Sequence, residues 1–341
     1  MTSVREWIEK KLEDEDIEYF EYNKFGSIAE IGRGASGKVY RAYLASEGLE
    51  VALKSFVNEN LKIDENTLNE FVNELKLLRK VRYHDNINRF LGIAKDSIGN
   101  YVMVLAYANE GNLREYLENN FALLEWKDKI QMALDITRGL KCLHSKEIIH
   151  RDLHSKNILV NNGKLLIADL GLSKRLTEIS TNSAANKMGI YEYIDPQCYK
   201  IAKFKKDKKS DIYSLGVLLW EITSKHPPFH DYPRETLCFH ISFRNLREKP
   251  IEGTPMKYIQ LYQKCWDDDP KIRPDIEEVH EILSQLSQSS EEFLDLQFNT
   301  DDKQEEPQKS ISGINNSKLL EFVIPDYFDT TNLGKLDCLK N

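Results

Sequence analysis

The sequence lacks any apolar run long enough to span a membrane, because no stretch approaches the roughly 18 residues that a spanning helix needs. The longest candidate, residues 214–222, is short and carries a glutamate near its end, so we expect a buried helix there. The first 20 residues are studded with charge, where a secretory signal peptide needs an apolar stretch. We therefore expect neither membrane insertion nor secretion.

The scarcity of clustered basic residues and of paired cysteines argues against two further classes, nucleic-acid binders and proteins with a cysteine metal site or redox centre. The net charge is −8 and there is no long block of lysine and arginine, so the sequence lacks the electrostatic footprint of a dedicated nucleic-acid binder. The cysteines number 5, are widely spread and form no C-x-x-C pair, which argues against a metal site or a redox centre. We expect a reducing compartment, the cytoplasm, with the nucleus left open.

The apolar residues that are present, 41% of 341, suffice for a sizeable core flanked by polar segments. In the first segment Trp7, Ile8 and Leu12 stand at helical spacing, so a short docking helix is an open alternative to a polar lead-in. After Leu286 the sequence has 11 acidic residues, 5 lysines and few apolar residues, which is typical of a disordered tail. The expected division is an N-terminal extension at 1–24, a folded domain at 25–286 and an acidic tail at 287–341.

Short apolar runs separated by glycine begin at Phe25 and predict strands. The runs FGSIAEIGRG, KVYRAYL and VALKSFV are followed by two more at 90–95 and 101–105, which flank a turn at 98–100. Between them lies one amphipathic helix, whose apolar residues recur at helical intervals: Leu68, Phe71, Leu75 and Leu78. We expect a small antiparallel sheet of about five strands that carries a single helix.

After Gly111 the apolar spacing becomes helical, and helices dominate the rest of the folded domain. One predicted hairpin interrupts them, where NILV and KLLIADL flank an Asn-Asn-Gly turn at 161–163. The expected fold class is therefore α+β, with a small antiparallel-sheet lobe at about 25–105 and a larger, mainly helical lobe at about 109–286.

Glycines in the pattern G-x-G-x-x-G-x-V stand at Gly32, Gly34 and Gly37, between Ile31 and Val39. A loop that covers phosphates needs glycine, because a Cβ would keep the backbone from approaching them closely. Glycine-rich turns are common, so this match is weak by itself. A dinucleotide-binding loop would continue into a helix, whereas the strand-like run KVYRAYL follows here.

Lys54 is the only charged residue in the run VALKSFV, and Glu74 lies beside the apolar stripe of the predicted helix. A lone lysine would ordinarily be an exposed strand residue. Paired with Glu74, its ammonium would be held against the α- and β-phosphates of a nucleotide.

The segment HRDLHSKN begins at His150 and contains Asp152 and Asn157. This spacing on one loop lets a carboxylate base face a substrate hydroxyl while an amide oxygen faces a metal. Asp169 follows in a DLG motif, and its carboxylate suits Mg²⁺, which prefers oxygen ligands. Any one of these motifs could arise by chance, but their order and spacing together are not plausibly accidental.

These motifs resemble those of eukaryotic protein kinases from about Phe25 to Leu286. The run SDIYSLGVLLWEI, PPF at 227–229 and CWDDDPKIRP at 265–274 match later landmarks of that family. The run AYANEG and the CW…RP ending are similar to the tyrosine kinase-like group. The resemblance implies the bilobal protein kinase fold, ATP and Mg²⁺ as cofactors, and a protein substrate.

The resemblance also implies roles for single residues. Asp152 would be the catalytic base, and Lys54 would contact the α- and β-phosphates while paired with Glu74. Asn157 and Asp169 would hold Mg²⁺. The remaining nucleotide contacts would be Gly32, Gly34 and Gly37 over the phosphates, Ile31, Val39, Ala52 and Leu159 around adenine, the backbone of Ala106 and Ala108 at its edge, and Leu105 at the back of the pocket.

Two positions depart from the family pattern. Leu170 replaces the usual phenylalanine, an apolar exchange that should preserve packing. Gln197 stands where a glutamate usually pairs with Arg273, so we expect a hydrogen bond to Arg273 without the ion pair, at a cost in stability. Asp211 matches the residue that braces the backbone of the catalytic loop in this family.

The sequence does not decide whether the acceptor is Ser/Thr or Tyr. The positions that distinguish the two classes in the family hold His154, Lys156 and Ile190, which fit neither pattern. Most members of the tyrosine kinase-like group phosphorylate Ser/Thr, so we favour that class over Tyr. The main alternative is a pseudokinase that acts as an ATP-binding scaffold, and a second is a small-molecule phosphotransferase. The oligomeric state is not readable from the sequence.

The segment 173–188 is rich in hydroxyl residues and predicts a flexible loop. A phosphate on this loop would pair with Arg151 and order it. Each hydroxyl taken singly is more simply a solvated loop residue. Our hypothesis is activation by phosphorylation within the set Ser173, Thr177, Ser180, Thr181 and Ser183, with Thr181 and Ser183 preferred by position.

Overall fold

The computed structural model of the chain describes residues 4–14, 16–34, 37–56, 65–175 and 189–298. Four of the hydroxyl residues in the modification hypothesis, Thr177, Ser180, Thr181 and Ser183, lie outside these ranges, as does the acidic sequence after residue 298. The predictions that concern them stay predictions.

One six-stranded sheet forms the first half of the described structure. Its strands are β1 (Tyr19–Phe20), β2 (Phe25–Gly34), β3 (Gly37–Leu44), β4 (Leu49–Ser55), β5 (Phe90–Lys95) and β6 (Tyr101–Ala106). The spatial order is β1-β5-β6-β4-β3-β2, and only β1 and β5 run parallel. The five predicted strands are all present, and β1 was missed because two residues give no alternating pattern to recognise.

The predicted amphipathic helix is present as α2 (Glu65–Val81). Its stripe of Leu68, Phe71, Leu75 and Leu78 is buried, each residue at most 4% exposed. Because Glu74 lies beside this stripe, the helix carries its carboxylate into the protein, where Glu74 is 2% exposed.

Helices dominate the second half of the described structure, as predicted. They are α3 (Leu113–Asn120), α4 (Trp126–Ser145), α5 (Gln197–Lys200), α6 (Lys208–Ile222), α7 (Arg234–Phe243), α8 (Met256–Cys265) and α9 (Ile276–Phe298). Short strands form two small sheets, β7 (Ile148–Ile149) with β10 (Lys174–Arg175), and β8 (Ile158–Asn161) with β9 (Lys164–Ile167). The α+β fold class expected from the sequence is confirmed, with a sheet-rich lobe and a helical lobe.

Local sequence accounts for the elements that hold the loop at 150–157, where the HRDLHSKN motif lies. Asn162 and Gly163 join β8 to β9 with positive φ values of 51° and 74°, as the Asn-Gly turn predicts. The side chain of Asp207 accepts hydrogen bonds from the backbone of Lys209 and Ser210 and so caps α6. Because α6 is buried along almost its whole length, it is the buried helix that residues 214–222 predicted.

The two ends of the described chain differ from simple polar tails. Trp7, Ile8 and Leu12 lie on a helix, α1 (Val4–Glu13), and Ile8 is fully buried in the same apolar cluster as Phe71. Helix α9 continues to Phe298, past Leu286, where we expected the folded domain to end. Within the described ranges, no helix combines the length and the apolar character needed to cross a membrane.

Candidate active site

A cavity of about 410 Å³ lies between the sheet and the helical half of the molecule. Its lining includes most of the residues that the sequence assigned to a nucleotide: Ile31, Gly32, Val39, Ala52, Lys54, Glu74, Leu105, Ala106, Ala108, Asn157, Leu159 and Asp169. Cavities of a few hundred Å³ are typical of sites for small molecules and cofactors. Residues far apart in the sequence are thus brought to one site.

Three predicted residues do not line this cavity. Gly34 and Gly37 face each other at the end of the hairpin between β2 and β3. Gly37 has a φ of 116°, and a Cβ there would lie 1.9 Å from the carbonyl oxygen of Ser55, so only glycine fits the turn. Oδ2 of Asp152 accepts a hydrogen bond at 3.2 Å from Nδ2 of Asn157, which does line the cavity.

The ion pair expected between Lys54 and Glu74 is present. Lys54 Nζ lies 2.8 and 2.9 Å from the two carboxylate oxygens of Glu74, and 2.9 Å from Asp169 Oδ1. The strand β4 supplies the lysine, and α2 supplies Glu74 from one side. Asp169 approaches from the other side with a φ of 58°, a conformation that non-glycine residues seldom adopt.

The electrostatics favour the charged forms of Lys54 and Asp169, whereas burial raises the pKa of Glu74. Burial alone would lower the pKa of Lys54, but the carboxylates of Glu74 and Asp169 more than offset it, so that pKa is raised. Burial likewise acts to raise the pKa of Asp169, and the charge and hydrogen bond of Lys54 outweigh it, so that pKa is lowered. The ammonium of Lys54 and the carboxylate of Asp169 are therefore both charged at the cavity wall.

The loop at 150–157 brings Asp152 and Asn157 together, as the spacing predicted. Asn157 Nδ2 donates to the carbonyl oxygen of Asp152 at 2.9 Å and to its Oδ2 at 3.2 Å. Nε2 of His154 lies 3.6 Å from the same Oδ2. Burial would raise the pKa of Asp152, but the hydrogen bond and charge of His154 lower it below its usual value. Asp152 is therefore a carboxylate at neutral pH.

Asp211 braces the loop backbone, as expected. Its carboxylate accepts hydrogen bonds from the backbone N–H of His150 at 2.9 Å and of Arg151 at 2.8 Å. Nε2 of His144 lies 2.9 Å from the same carboxylate. These bonds hold Arg151 at a φ of 71°, which the chain adopts just before Asp152.

A second brace, Lys206, was missed by the sequence analysis. This lysine is 3% exposed, and its Nζ donates to the carbonyl oxygen of Arg151 at 2.9 Å. Because it stands among several other lysines in the run KFKKDKK, no local signal marks it as the buried one. Burial lowers its pKa.

The pairing expected for Arg273 is wrong. Its guanidinium binds Asp195, with Nη1 at 2.7 Å from Oδ2 and Nη2 at 3.0 Å from Oδ1. Gln197 instead donates from Nε2 to the carbonyl oxygen of Asp268 at 2.7 Å. The chain turns into α5 at residues 195–197. This turn directs the carboxylate of Asp195 toward Arg273 and the amide of Gln197 toward the backbone of Asp268. The ion pair is therefore kept, two residues earlier in the chain than the family pattern places it.

The sites for the adenine edge and the metal have the groups that those ligands need. The backbone N–H of Ala106 donates to the carbonyl of Arg89 at 2.9 Å, which leaves its carbonyl as the group able to accept from a ligand. No hydrogen bond from the described residues reaches Oδ2 of Asp169 or Oδ1 of Asn157. Both are oxygen donors beside the cavity, and this donor type fits Mg²⁺.

Gly189 lies directly against the carboxylate of Asp152. Its φ is 120°, and a Cβ at this position would lie 2.6 Å from Asp152 Oδ1, closer than any real contact allows. We expect Gly189→Ala to displace Asp152 and to lower kcat by roughly a hundredfold, since displacements of about 1 Å at a reacting group have effects of that size. Steady-state kinetics measure this change.

Gly253→Ala is the matched control for that substitution. Gly253 also has a positive φ, 79°, but no atom lies within 4 Å of its added Cβ. The control therefore carries the backbone strain without the clash, and its kcat should equal that of the wild type. A similar loss of kcat in both variants would show that backbone strain, and not contact with Asp152, is responsible.

Comparison with known proteins agrees with this geometry. The sequence profile of the family described as protein tyrosine and serine/threonine kinase matches residues 26–283. Among curated relatives, serine/threonine-protein kinase STY17 of Arabidopsis thaliana is 29% identical over 254 residues, which are 74% of this chain and 43% of the relative. Serine/threonine/tyrosine-protein kinase HT1 of the same plant is 29% identical over 301 residues, or 86% of this chain and 74% of the relative.

A third relative comes from a different lineage. Probable serine/threonine-protein kinase drkA of Dictyostelium discoideum is 32% identical over 274 residues, or 79% of this chain and 40% of the relative. The chain thus spans less than half the length of STY17 and of drkA. The profile match, however, covers well over half of this chain. The chain belongs to the protein tyrosine and serine/threonine kinase family.

Proposed function

We propose that this protein transfers the γ-phosphoryl group of ATP to serine or threonine hydroxyls of protein substrates. One observation carries the proposal: Lys54 Nζ is bound by both Glu74 and Asp169 at the wall of a 410 Å³ cavity that Asn157 also lines. A buried ammonium held by two carboxylates is a poor stabiliser of the fold, because desolvating these three charged groups costs free energy. It is well suited to offset the charge of phosphates.

The cavity offers separate regions for the parts of ATP. The apolar side chains of Val39, Ala52 and Leu159 would enclose adenine, and the backbone of Ala106 and Ala108 would meet its polar edge. The ammonium of Lys54 would then contact the α- and β-phosphates. This division is consistent with a nucleotide bound between the two lobes.

Proton transfer falls to Asp152. Its lowered pKa keeps it ionised at neutral pH, so it is ready to accept the proton of an attacking hydroxyl. Nδ2 of Asn157 donates one hydrogen bond to Oδ2 of this carboxylate, which orients it, and another to the backbone carbonyl oxygen of Asp152. Because phosphoryl transfer passes through a loose transition state, the main work of these residues is to position and align the acceptor oxygen.

Asp169 and Asn157 would hold Mg²⁺, since their unbonded oxygens are of the type that this ion prefers. When bound, the ion neutralises charge on the β- and γ-phosphates. The contribution of the chain itself is the orientation of those two oxygens. Asp169 is oriented by Lys54 at 2.9 Å and by the backbone N–H of Gly171 at 3.1 Å.

A protein acceptor has a surface available to it. A second cavity of about 370 Å³ is lined by Ile190, Tyr193 and Phe229 among others, and Lys156 lines both cavities. A peptide lying there would present its hydroxyl near the catalytic loop. The names of STY17 and drkA include serine/threonine kinase, and that of HT1 includes tyrosine as well, which supports Ser/Thr with Tyr as the competing outcome.

The pseudokinase alternative finds less support. A scaffold that only binds ATP has no need of a carboxylate oriented like Asp152, yet Asn157, Asp211 and Lys206 all serve to hold its loop in place. The two departures that motivated this alternative are also minor. Leu170 is buried at 1% exposure, and its backbone hydrogen-bonds to Glu74, while the ion pair of Arg273 is kept by Asp195.

The identity of the acceptor can be measured directly. Purified protein is incubated with γ-labelled ATP, Mg²⁺ and generic protein substrates, and the product is hydrolysed to phosphoamino acids. We expect label in phosphoserine and phosphothreonine. Lys54→Met is the control and should transfer no label, because the phosphates lose their cationic partner. Label found in phosphotyrosine alone would overturn the Ser/Thr assignment, and label in a small molecule alone would overturn the protein-substrate assignment.

A further inference from the structure

Helix α1 lies against α2, the helix that carries Glu74. Ile8 of α1 is fully buried and belongs to the same apolar cluster as Leu68 and Val72 of α2. The Nζ atom of Lys76 lies 4.8 Å from the centre of the Trp7 ring, which is a cation–π contact between the helices. Helices α1 and α2 are therefore joined by apolar packing at Ile8 and by a cation–π contact at Trp7.

The face of α2 that meets α1 is not the face that meets Lys54. Glu74 and Lys76 are two residues apart, so their side chains point in directions that differ by about 200° around the helix axis. Glu74 faces the cavity and Lys76 faces Trp7. Helix α2 is thus held between the sheet on one side and α1 on the other.

A polar anchor joins α1 to the sheet as well. Glu9 accepts hydrogen bonds from Lys95 Nζ at 2.8 Å and from the hydroxyl of Tyr101. The ring of Tyr101 packs on Phe71 of α2, with ring centres 5.8 Å apart. Phe71 in turn lies 5.2 Å from Phe56, which follows the strand that bears Lys54. The hydrogen bonds from Lys95 and Tyr101 lower the pKa of Glu9, so it is charged at neutral pH.

The segment after α1 is fixed to the edge of the sheet. The N–H of Ile93 donates to the carbonyl oxygen of Glu18 at 2.9 Å, and Tyr19 and Phe20 then pair in parallel with β5. This close approach depends on Gly92, because a Cβ there would lie 2.3 Å from Glu18 O. The sequence of β5 therefore accommodates the N-terminal segment specifically.

We propose that α1 and β1 act as an intramolecular clamp that keeps α2 in the position where Glu74 meets Lys54, with Ile8 and Glu9 as positioning residues for phosphoryl transfer. The inference rests on the proposed function. The ion pair between Lys54 and Glu74 is costly to bury, because both charges lose their hydration. If α2 moved outward, both groups would be hydrated again, so the ion pair by itself does not hold α2 in place. The apolar contact of Ile8 and the anchor of Glu9 oppose that movement.

A double-mutant cycle in the full-length chain tests this clamp. We expect Ile8→Ala to lower kcat by about tenfold, because it loosens a group near the phosphates. In a Glu74→Gln background the ion pair is already lost, so Ile8→Ala should then change kcat by less than about twofold. The KM for protein substrate should stay unchanged in both backgrounds, since the acceptor surface is elsewhere.

Two further variants separate positioning from general loss of structure. Lys10→Ala changes an exposed residue of the same helix and should leave kcat unchanged. Ile8→Leu restores the apolar contact and should restore kcat. If Ile8→Ala does not fold, Glu9→Ala takes its place in the double-mutant cycle. This substitution removes the polar anchor but keeps Ile8, so we expect a smaller decrease in kcat in the wild-type background.

The inference is overturned if Ile8→Ala lowers kcat by the same factor in both backgrounds, or leaves it unchanged. It fails separately from the proposed function. If the wild type transfers no phosphate, the function is wrong, but amide hydrogen exchange in α2 still decides the clamp. Exchange of α2 amides should be faster in Ile8→Ala than in Lys10→Ala, and equal rates would contradict the clamp.

Discussion

Asp152→Asn should lower kcat by about 10²- to 10⁴-fold, the range that removal of a general base produces. The substitution keeps the size of the side chain and the hydrogen bond from Asn157, but an amide cannot accept the proton of the attacking hydroxyl. Affinity for ATP should be unchanged, because Asp152 does not line the nucleotide cavity. Steady-state kinetics and equilibrium nucleotide binding measure the two effects.

The two measurements together make this prediction specific. A loss of kcat with intact nucleotide binding and an unchanged Tm assigns the defect to chemistry. Equal kcat in Asp152→Asn and the wild type would show that another group accepts the proton. A loss of nucleotide binding would instead place Asp152 in the binding machinery, contrary to the geometry.

Asp195→Ala should reduce the free energy of unfolding by about 3–5 kcal/mol, the usual cost of breaking a buried ion pair. Both side chains are fully buried, and Arg273 binds both carboxylate oxygens of Asp195. The same carboxylate accepts a hydrogen bond from Ser210 Oγ at 2.9 Å. Removing it leaves the guanidinium charge buried without a counter-charge. Urea denaturation measures the loss.

Gln197→Ala is the matched control for this prediction. Gln197 makes one hydrogen bond from its side chain, to the carbonyl of Asp268, and is partly exposed. Its removal should cost about 1 kcal/mol, the usual net value of one hydrogen bond. If Gln197→Ala destabilised the protein as much as Asp195→Ala, the pairing expected from the family pattern would be the correct one after all.

Features set by neighbouring residues could be predicted from the sequence. The Asn-Gly turn at 161–163 fixed the hairpin of β8 and β9, because few other residues accept positive φ at both turn positions. The apolar stripe of α2 placed Glu74 correctly, since helical geometry alone decides which side chains lie beside the stripe. The contact between Asp152 and Asn157 could also be predicted from local sequence, because the two residues are only five positions apart and meet within one turn of the chain.

Features that depend on distant segments could not be predicted in this way. Asp195 and Arg273 are 78 residues apart, and only the direction of the turn into α5 decides that Asp195, and not Gln197, meets Arg273. Lys206 is one of several lysines, and its burial depends on where the catalytic loop lies. The strand β1 is too short to show a pattern, so its pairing with β5 is visible only in the folded chain.

The account depends most on the claim that the cavity around Lys54 supports phosphoryl transfer. The direct measurement is the rate of label transfer from γ-labelled ATP to protein by the wild type and by Lys54→Met under the same conditions. The account predicts steady transfer by the wild type and none above background by Lys54→Met. Equal transfer by the two proteins, or no transfer by a wild type that binds ATP and Mg²⁺, would contradict it.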